Sequence, residues 1–179
     1  MNNKIKKIVF TGAESSGKTT LSELTAKYLN EPWVKEYARE YLQNKNGKYT
    51  QNDLLKIAQG QIMLEEKIIK QAKRILVCDT DLMVIKAWSE HKYKNCHEYI
   101  IRQIESRNYD LYFLCKNDFP WQADPLRENP LLGEYFFDIY QNELTKYNKK
   151  YIVLQGSIEQ RFNEIKKQLK NLFVSELFT

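Results

Sequence analysis

The residues Gly12-Ala13-Glu14-Ser15-Ser16-Gly17-Lys18-Thr19 fit the spacing G-x-x-x-x-G-K-[ST] of a phosphate-binding loop. Each residue type there has a chemical reason. Gly12 and Gly17 let the backbone curl until successive N–H groups point inward, which makes a nest for phosphate oxygens. Lys18 can reach β- and γ-phosphates, and the Thr19 hydroxyl can ligate Mg²⁺. The pattern also has its required context, with the apolar run Ile5 to Thr11 before it and Leu21, Leu24, Ala26 and Leu29 near helical spacing after it. A helix starting at Lys18 adds the positive end of its dipole. The spacing predicts a nucleoside triphosphate site with Mg²⁺, its contacts running through Glu14, Ser15 and Ser16 to Thr20.

Other residues carry compatible chemistry. The apolar run Ile75 to Cys78 ends in Asp79-Thr80-Asp81. A carboxylate at such a strand end can hold Mg²⁺ or its waters, and ligands collect at the carboxyl ends of strands in open α/β sheets. The alternative is a helix N-cap by Asp79, Thr80 or Asp81. In Glu36-Tyr37-Ala38-Arg39-Glu40-Tyr41, Glu36 can take a proton from a substrate hydroxyl and Arg39 can steady an anion with its planar fork, or the two can pair on a solvated helix face. The irregular stretch Lys116 to Pro130 holds Trp121, Asp124 and Arg127. It reads as a lid that excludes water and brings Arg127 to developing phosphoryl charge, or as a surface loop with an internal ion pair. Near the C-terminus Gly156 and Arg161 flank a strand-to-helix loop close to a nucleotide base, where Ser157 is also an ordinary N-cap.

Five β-like runs would position these groups: Lys7 to Thr11, Trp33 to Glu36, Arg74 to Asp79, Asp110 to Cys115 and Lys150 to Gln155. Helical pattern follows in Asp53 to Lys73, Leu82 to Glu90, Glu98 to Ser106, Leu132 to Tyr147 and Ile158 to Leu172. Such alternation argues for an α/β fold, a parallel sheet covered on both faces by helices. At 179 residues the chain reads as one domain, 1–179, with the lid at about 116–130.

A net charge of +5, with lysines spread along the chain, gives little support to nucleic-acid binding. No stretch near Met1 has signal-peptide or transmembrane length, so no membrane partner is expected. Cys78, Cys96 and Cys115 make no disulfide framework, and Cys96-His97 lacks a second ligand pair for a metal. The expected location is the cytoplasm.

Taken together, the loop with Glu14-Ser15-Ser16, the Glu36-Tyr37-x-Arg39-Glu40-Tyr41 run, the Asp79-Thr80-Asp81 strand end and the Trp121-x-x-Asp124-x-x-Arg127 stretch resemble the ribosylnicotinamide kinase domain of NadR-type proteins. That family lies within the P-loop kinase and AAA-like ATPase group. The resemblance runs from about Ile5 to Leu172, with Pro125 where the lid motif has glycine. It implies a P-loop NTPase fold of three layers, α/β/α, with a five-stranded parallel sheet in 2-3-1-4-5 order. It also implies transfer of the ATP γ-phosphate to the 5′-hydroxyl of nicotinamide riboside in NAD salvage. Lys18 and Thr19 would then serve ATP and Mg²⁺, Asp79 or Asp81 the metal or substrate hydroxyls, and Arg127 the phosphate. Glu36, Tyr37, Arg39 and Tyr41, with Asp81, Trp121 and Asp124, would line the acceptor. The namesake's DNA-binding and adenylyltransferase segments have no counterpart here, so neither of those activities is implied. The alternatives are a kinase of another nucleoside or nucleoside monophosphate, and a nucleotide-dependent switch. The order Lys116-Asn117-Asp118 does not match a guanine-selecting N-K-x-D motif.

Overall fold

The computed structural model describes residues 4–120 and 131–174, with side chains through 172. Trp121, Asp124 and Arg127, expected in a lid, lie outside the described residues.

Five parallel strands form one sheet in the order β2-β3-β1-β4-β5, the 2-3-1-4-5 order that the resemblance implies. They are β1 (Lys6–Gly12), β2 (Trp33–Val34), β3 (Ile75–Asp79), β4 (Leu111–Cys115) and β5 (Tyr151–Leu154). β1 lies at the centre, pairing Phe10 with Asp79 on β3 and Gly12 with Cys115 on β4. That register brings the phosphate loop and the Asp79 strand end to the same edge of the sheet.

Period-2 alternation divides the core into two layers. Ile8, Phe10, Val77, Leu111 and Phe113 pack with Leu21 and Ala26 of α1 (Lys18–Leu29) and with Ile165 and Leu169 of α7 (Ile158–Val174). Val9, Leu76, Cys78, Tyr112 and Leu114 face the other way. There they meet α2 (Tyr37–Gln43), α3 (Gln51–Ile68), α4 (Leu82–Tyr93), α5 (Glu98–Ser106) and α6 (Gly133–Lys146). Strands buried on both faces read as near-continuous apolar runs, which is why β1, β3 and β4 stand out in the sequence.

Several element boundaries differ from expectation, those of β2 and α3 most. The run Trp33 to Glu36 gives only two residues of strand, because Glu36 becomes the N-cap of α2. The Gln61 side chain meets that helix end, its Oε1 accepting from the Tyr37 N–H at 2.8 Å. The helix predicted from Asp53 begins at Gln51, because Thr50 and Asp53 form a capping box. It then gives way after Ile68 to a 3₁₀ turn at Ile69–Gln71. Among the described residues, no helix is long and apolar enough to cross a membrane.

Candidate active site

β1 ends in Gly12 at φ 141°, where a Cβ would stand 2.6 Å from the Cys115 carbonyl oxygen. Ser15 at φ 59° and Gly17 at φ 84° complete the curl. The Ser16 hydroxyl and the Lys18 ammonium both donate to the Ala13 carbonyl, at 2.7 and 2.8 Å. Gly17 is the N-cap residue of α1 and offers no side chain to the first-turn amides. Those donors are left for a ligand's oxygens.

Thr80 separates the two aspartates at φ 74°. A β-branched residue in the left-handed region costs about 1–3 kcal/mol and persists only where its surroundings impose it. The turn sends the carboxylates to different neighbours. Asp79 reaches the Thr19 hydroxyl, and its buried Oδ1 has no hydrogen-bond partner. Burial and then the charge of Glu36 push the Asp79 carboxyl upward, against Thr19, Lys18 and Arg39. Asp81 is the N-cap residue of α4 and accepts from the Thr11 hydroxyl at 3.1 Å. Burial pushes its carboxyl up to about 7, against Thr11 and the amides of Met83 and Val84.

A cleft of about 430 Å³ opens at the phosphate loop. Gly12 and residues 14–20 form one wall. Glu36, Ala38, Arg39 and Leu42 from the α2 segment, Val84 and Trp88 of α4 and Tyr140 of α6 form a second. Phe119, Pro120 and Ile158 form a third beside Gly17. Thr19 with Asp79 fits a Mg²⁺ site that keeps most of its ligands as waters and substrate oxygens. The unpartnered Asp79 oxygen is the observation that favours that fit.

The structure thus brings Glu14, Ser15, Ser16, Gly17, Lys18, Thr19, Thr20, Glu36 and Arg39 into one lining. Asp79, Tyr37, Tyr41, Asp81, Gly156 and Arg161 stand outside it, Asp79 behind the Thr19 hydroxyl that it reaches. The Tyr37 ring rests on Gly60 of α3 and the Tyr41 hydroxyl donates to Asp53 at 2.7 Å, so both face α3. Arg161 is 1% exposed, with its guanidinium spent on the loops beneath the cleft. Sequence reading did not assign Ala38, Leu42, Val84, Tyr140, Phe119, Pro120 or Ile158. Ala38, Leu42, Val84, Tyr140 and Ile158 lie on four helices, where helical spacing marks them only as core, and Phe119 and Pro120 fall in the stretch read as a lid.

Fold and cleft define the class: a P-loop α/β domain, with a phosphate nest and a wall of helix side chains in one cavity. A model of the AAA domain matches residues 7–161, and the chain belongs to that family. The trifunctional NAD biosynthesis/regulator protein NadR of Escherichia coli (strain K12) is 30% identical over 129 residues, 69% of this chain and 31% of NadR. The chain therefore spans about a third of the length of that relative. Among solved structures, a NadR protein in complex with NR superposes with a TM-score of 0.73 at 20% identity, over 86% of this chain and 44% of that one. A NadR protein in complex with NAD and AMP-PNP gives 0.70 at 21%, over 90% and 48%. Thymidylate kinase from Ehrlichia chaffeensis gives 0.65 at 18%, over 92% and 98%. At these identities the structural likeness is one of fold.

Proposed function

We propose that this chain is a single-domain, ATP-dependent kinase that phosphorylates nicotinamide riboside to nicotinamide mononucleotide, acting in NAD salvage in the cytoplasm. The observation that carries the reading is the continuity of the cleft, where the phosphate nest opens onto a chamber walled by Leu42, Val84, Trp88 and Tyr140. A hydrolytic switch has no use for that chamber, whereas an acceptor with an aromatic ring does. The relationship to NadR at 30% identity and the NadR complexes with NR and with AMP-PNP support both ligands.

In this reading the loop amides and Lys18 bind the phosphates, while Thr19 and Asp79 hold Mg²⁺. A Mg²⁺ held there would supply positive charge to offset that of the phosphate oxygens. Glu36 and Glu14 are the carboxylates of the lining. Glu36 lies on the chamber side and is our choice for the group that accepts the hydroxyl proton. Arg39 steadies the transferring phosphoryl group from the same side, and Arg127 is the second cation assigned to that role. Arg39 also supports a second reading, with a nucleoside monophosphate as acceptor.

The test is ADP release from Mg-ATP with nicotinamide riboside, beside a panel of nucleosides and nucleoside monophosphates, with Lys18→Ala as blank. Stimulation confined to nicotinamide riboside, with a mononucleotide product by mass, is the expected result. Stimulation by another acceptor replaces the substrate and keeps the kinase. Slow release indifferent to every acceptor overturns the kinase reading.

A further inference from the structure

Arg161 is the largest fully buried side chain among the described residues. Its donors reach three separate loops. Nε donates to the Gly156 carbonyl at 2.8 Å, in the β5–α7 loop, and Nη1 to the Ser16 carbonyl at 2.9 Å, in the phosphate loop. Nη2 donates to the Lys116 carbonyl at 3.2 Å, at the exit of β4, and pairs with the Asp118 carboxylate. The second Asp118 oxygen accepts the Gly156 N–H at 2.7 Å and closes the ring of contacts. The guanidinium carbon Cζ lies 4.2 Å from the centre of the Phe119 ring. That ring is packed against Gly17 so closely that a Cβ there would stand 3.0 Å from it.

A planar trans peptide holds its C=O and N–H in opposite directions. Arg161 draws the Ser16 carbonyl down beneath the loop, so the Gly17 N–H of the same peptide is turned the other way, toward the cleft that Gly17 lines. Without the arginine, the Ser16, Gly156 and Lys116 carbonyls lose their side-chain donor together. A lysine cannot replace it, because an ammonium has neither the planar fork nor a face to lay against Phe119.

We infer that Arg161 is a positioning residue for the nucleotide: it orients the Gly17 amide into the phosphate nest and holds Phe119 as the wall beside it. It acts from below and does not touch the ligand. This rests on the reading of the cleft as a nucleotide site and is independent of which acceptor is used.

The experiment measures binding of a fluorescent ATP analogue to the full chain without acceptor, for wild type, Arg161→Lys and Asp118→Asn, well below each variant's melting temperature. Arg161→Lys is expected to weaken binding by about tenfold or more, since a charged donor to buried acceptors is lost. Asp118→Asn, which keeps the arginine's backbone bonds, is expected to weaken it less. In turnover, Arg161→Lys is expected to raise KM for ATP while leaving KM for the acceptor unchanged, a split that general loosening of the fold does not produce. Wild-type affinity in a folded Arg161→Lys overturns the inference and leaves the nucleotide site standing. Should Arg161→Lys fail to fold, wild-type affinity in Asp118→Asn overturns it instead. A wild-type chain that does not bind the analogue overturns the nucleotide-site reading itself.

Discussion

Lys18 shows how little of a reactive side chain's work concerns the fold. Its ammonium donates to the Ala13 backbone carbonyl, and Lys18 itself belongs to neither core layer. Lys18→Ala is therefore expected to change stability by about 1 kcal/mol or less, because one partly solvated hydrogen bond is lost. Turnover should fall by at least about 10²-fold, since a donor aimed at transition-state charge is removed. Circular dichroism melts beside steady-state rates check both halves, and a well-folded variant with unimpaired turnover sinks the loop assignment. Gly12→Ala is expected to lower both stability and turnover. A Cβ 2.6 Å from the Cys115 carbonyl at φ 141° must push β1 and β4 apart where they meet, so the melting temperature falls along with activity. The loop residues were legible in the sequence because their geometry is local, every part of it lying within eight consecutive positions. The chamber wall was not, because Leu42, Val84, Trp88 and Tyr140 come from three helices and converge only once those helices pack.

At the scale of elements, the acceptor side depends on how α2 is docked. Tyr37, Tyr41 and, just beyond the helix, Lys45 fall near helical spacing and face α3. Ala38, Arg39 and Leu42 line the cleft. The dock has two posts, the Tyr37 ring on Gly60 and the Asp53 carboxylate, which receives Lys45 and the Tyr41 hydroxyl at 2.7 Å each. Gly60→Ala puts a methyl where the Tyr37 ring lies and is expected to raise KM for the acceptor more than KM for ATP. Equal changes in both would deny α2 its place on the acceptor side. Hydrogen bonds from Lys45, Tyr41 and Thr50 hold the Asp53 carboxyl well below the usual carboxylate range. A folded-state pKa below the unfolded value of about 3.9 gives stability that is present above about pH 4 and is lost as pH falls below it. The wild-type melting temperature should therefore drop steeply between about pH 5 and about pH 2, and the drop should be shallower in Asp53→Asn. Parallel slopes in the two proteins would remove Asp53 from the dock. None of this pairing was visible in the sequence. Thr50 and Asp53 could have been read as a capping box, but Gly60 and Gln61 are marked by nothing local.

At the scale of the whole molecule, strand order does what no single motif does. With β1 central between β3 and β4, the loop after β1, the Asp79 end of β3 and the Phe119 segment after β4 are forced to one edge of the sheet. The cleft therefore draws on α1, the α2 segment, α4, α6, the β4 exit and α7 at once, and a ligand filling it ties both helical layers to the sheet. A ligand at a hundred times its Kd adds about 2.7 kcal/mol. For a chain of this size each kcal/mol moves the melting temperature by about 2–4 °C, so saturating Mg-ATP should raise it by roughly 5–10 °C. Because the cleft spans both core layers, the whole calorimetric transition should move together, as expected of one cooperative domain. Lys18→Ala should show a much smaller shift. A split trace, with one part moving and the other fixed, would mean that the two helical layers melt separately and that the chain is not one folding unit.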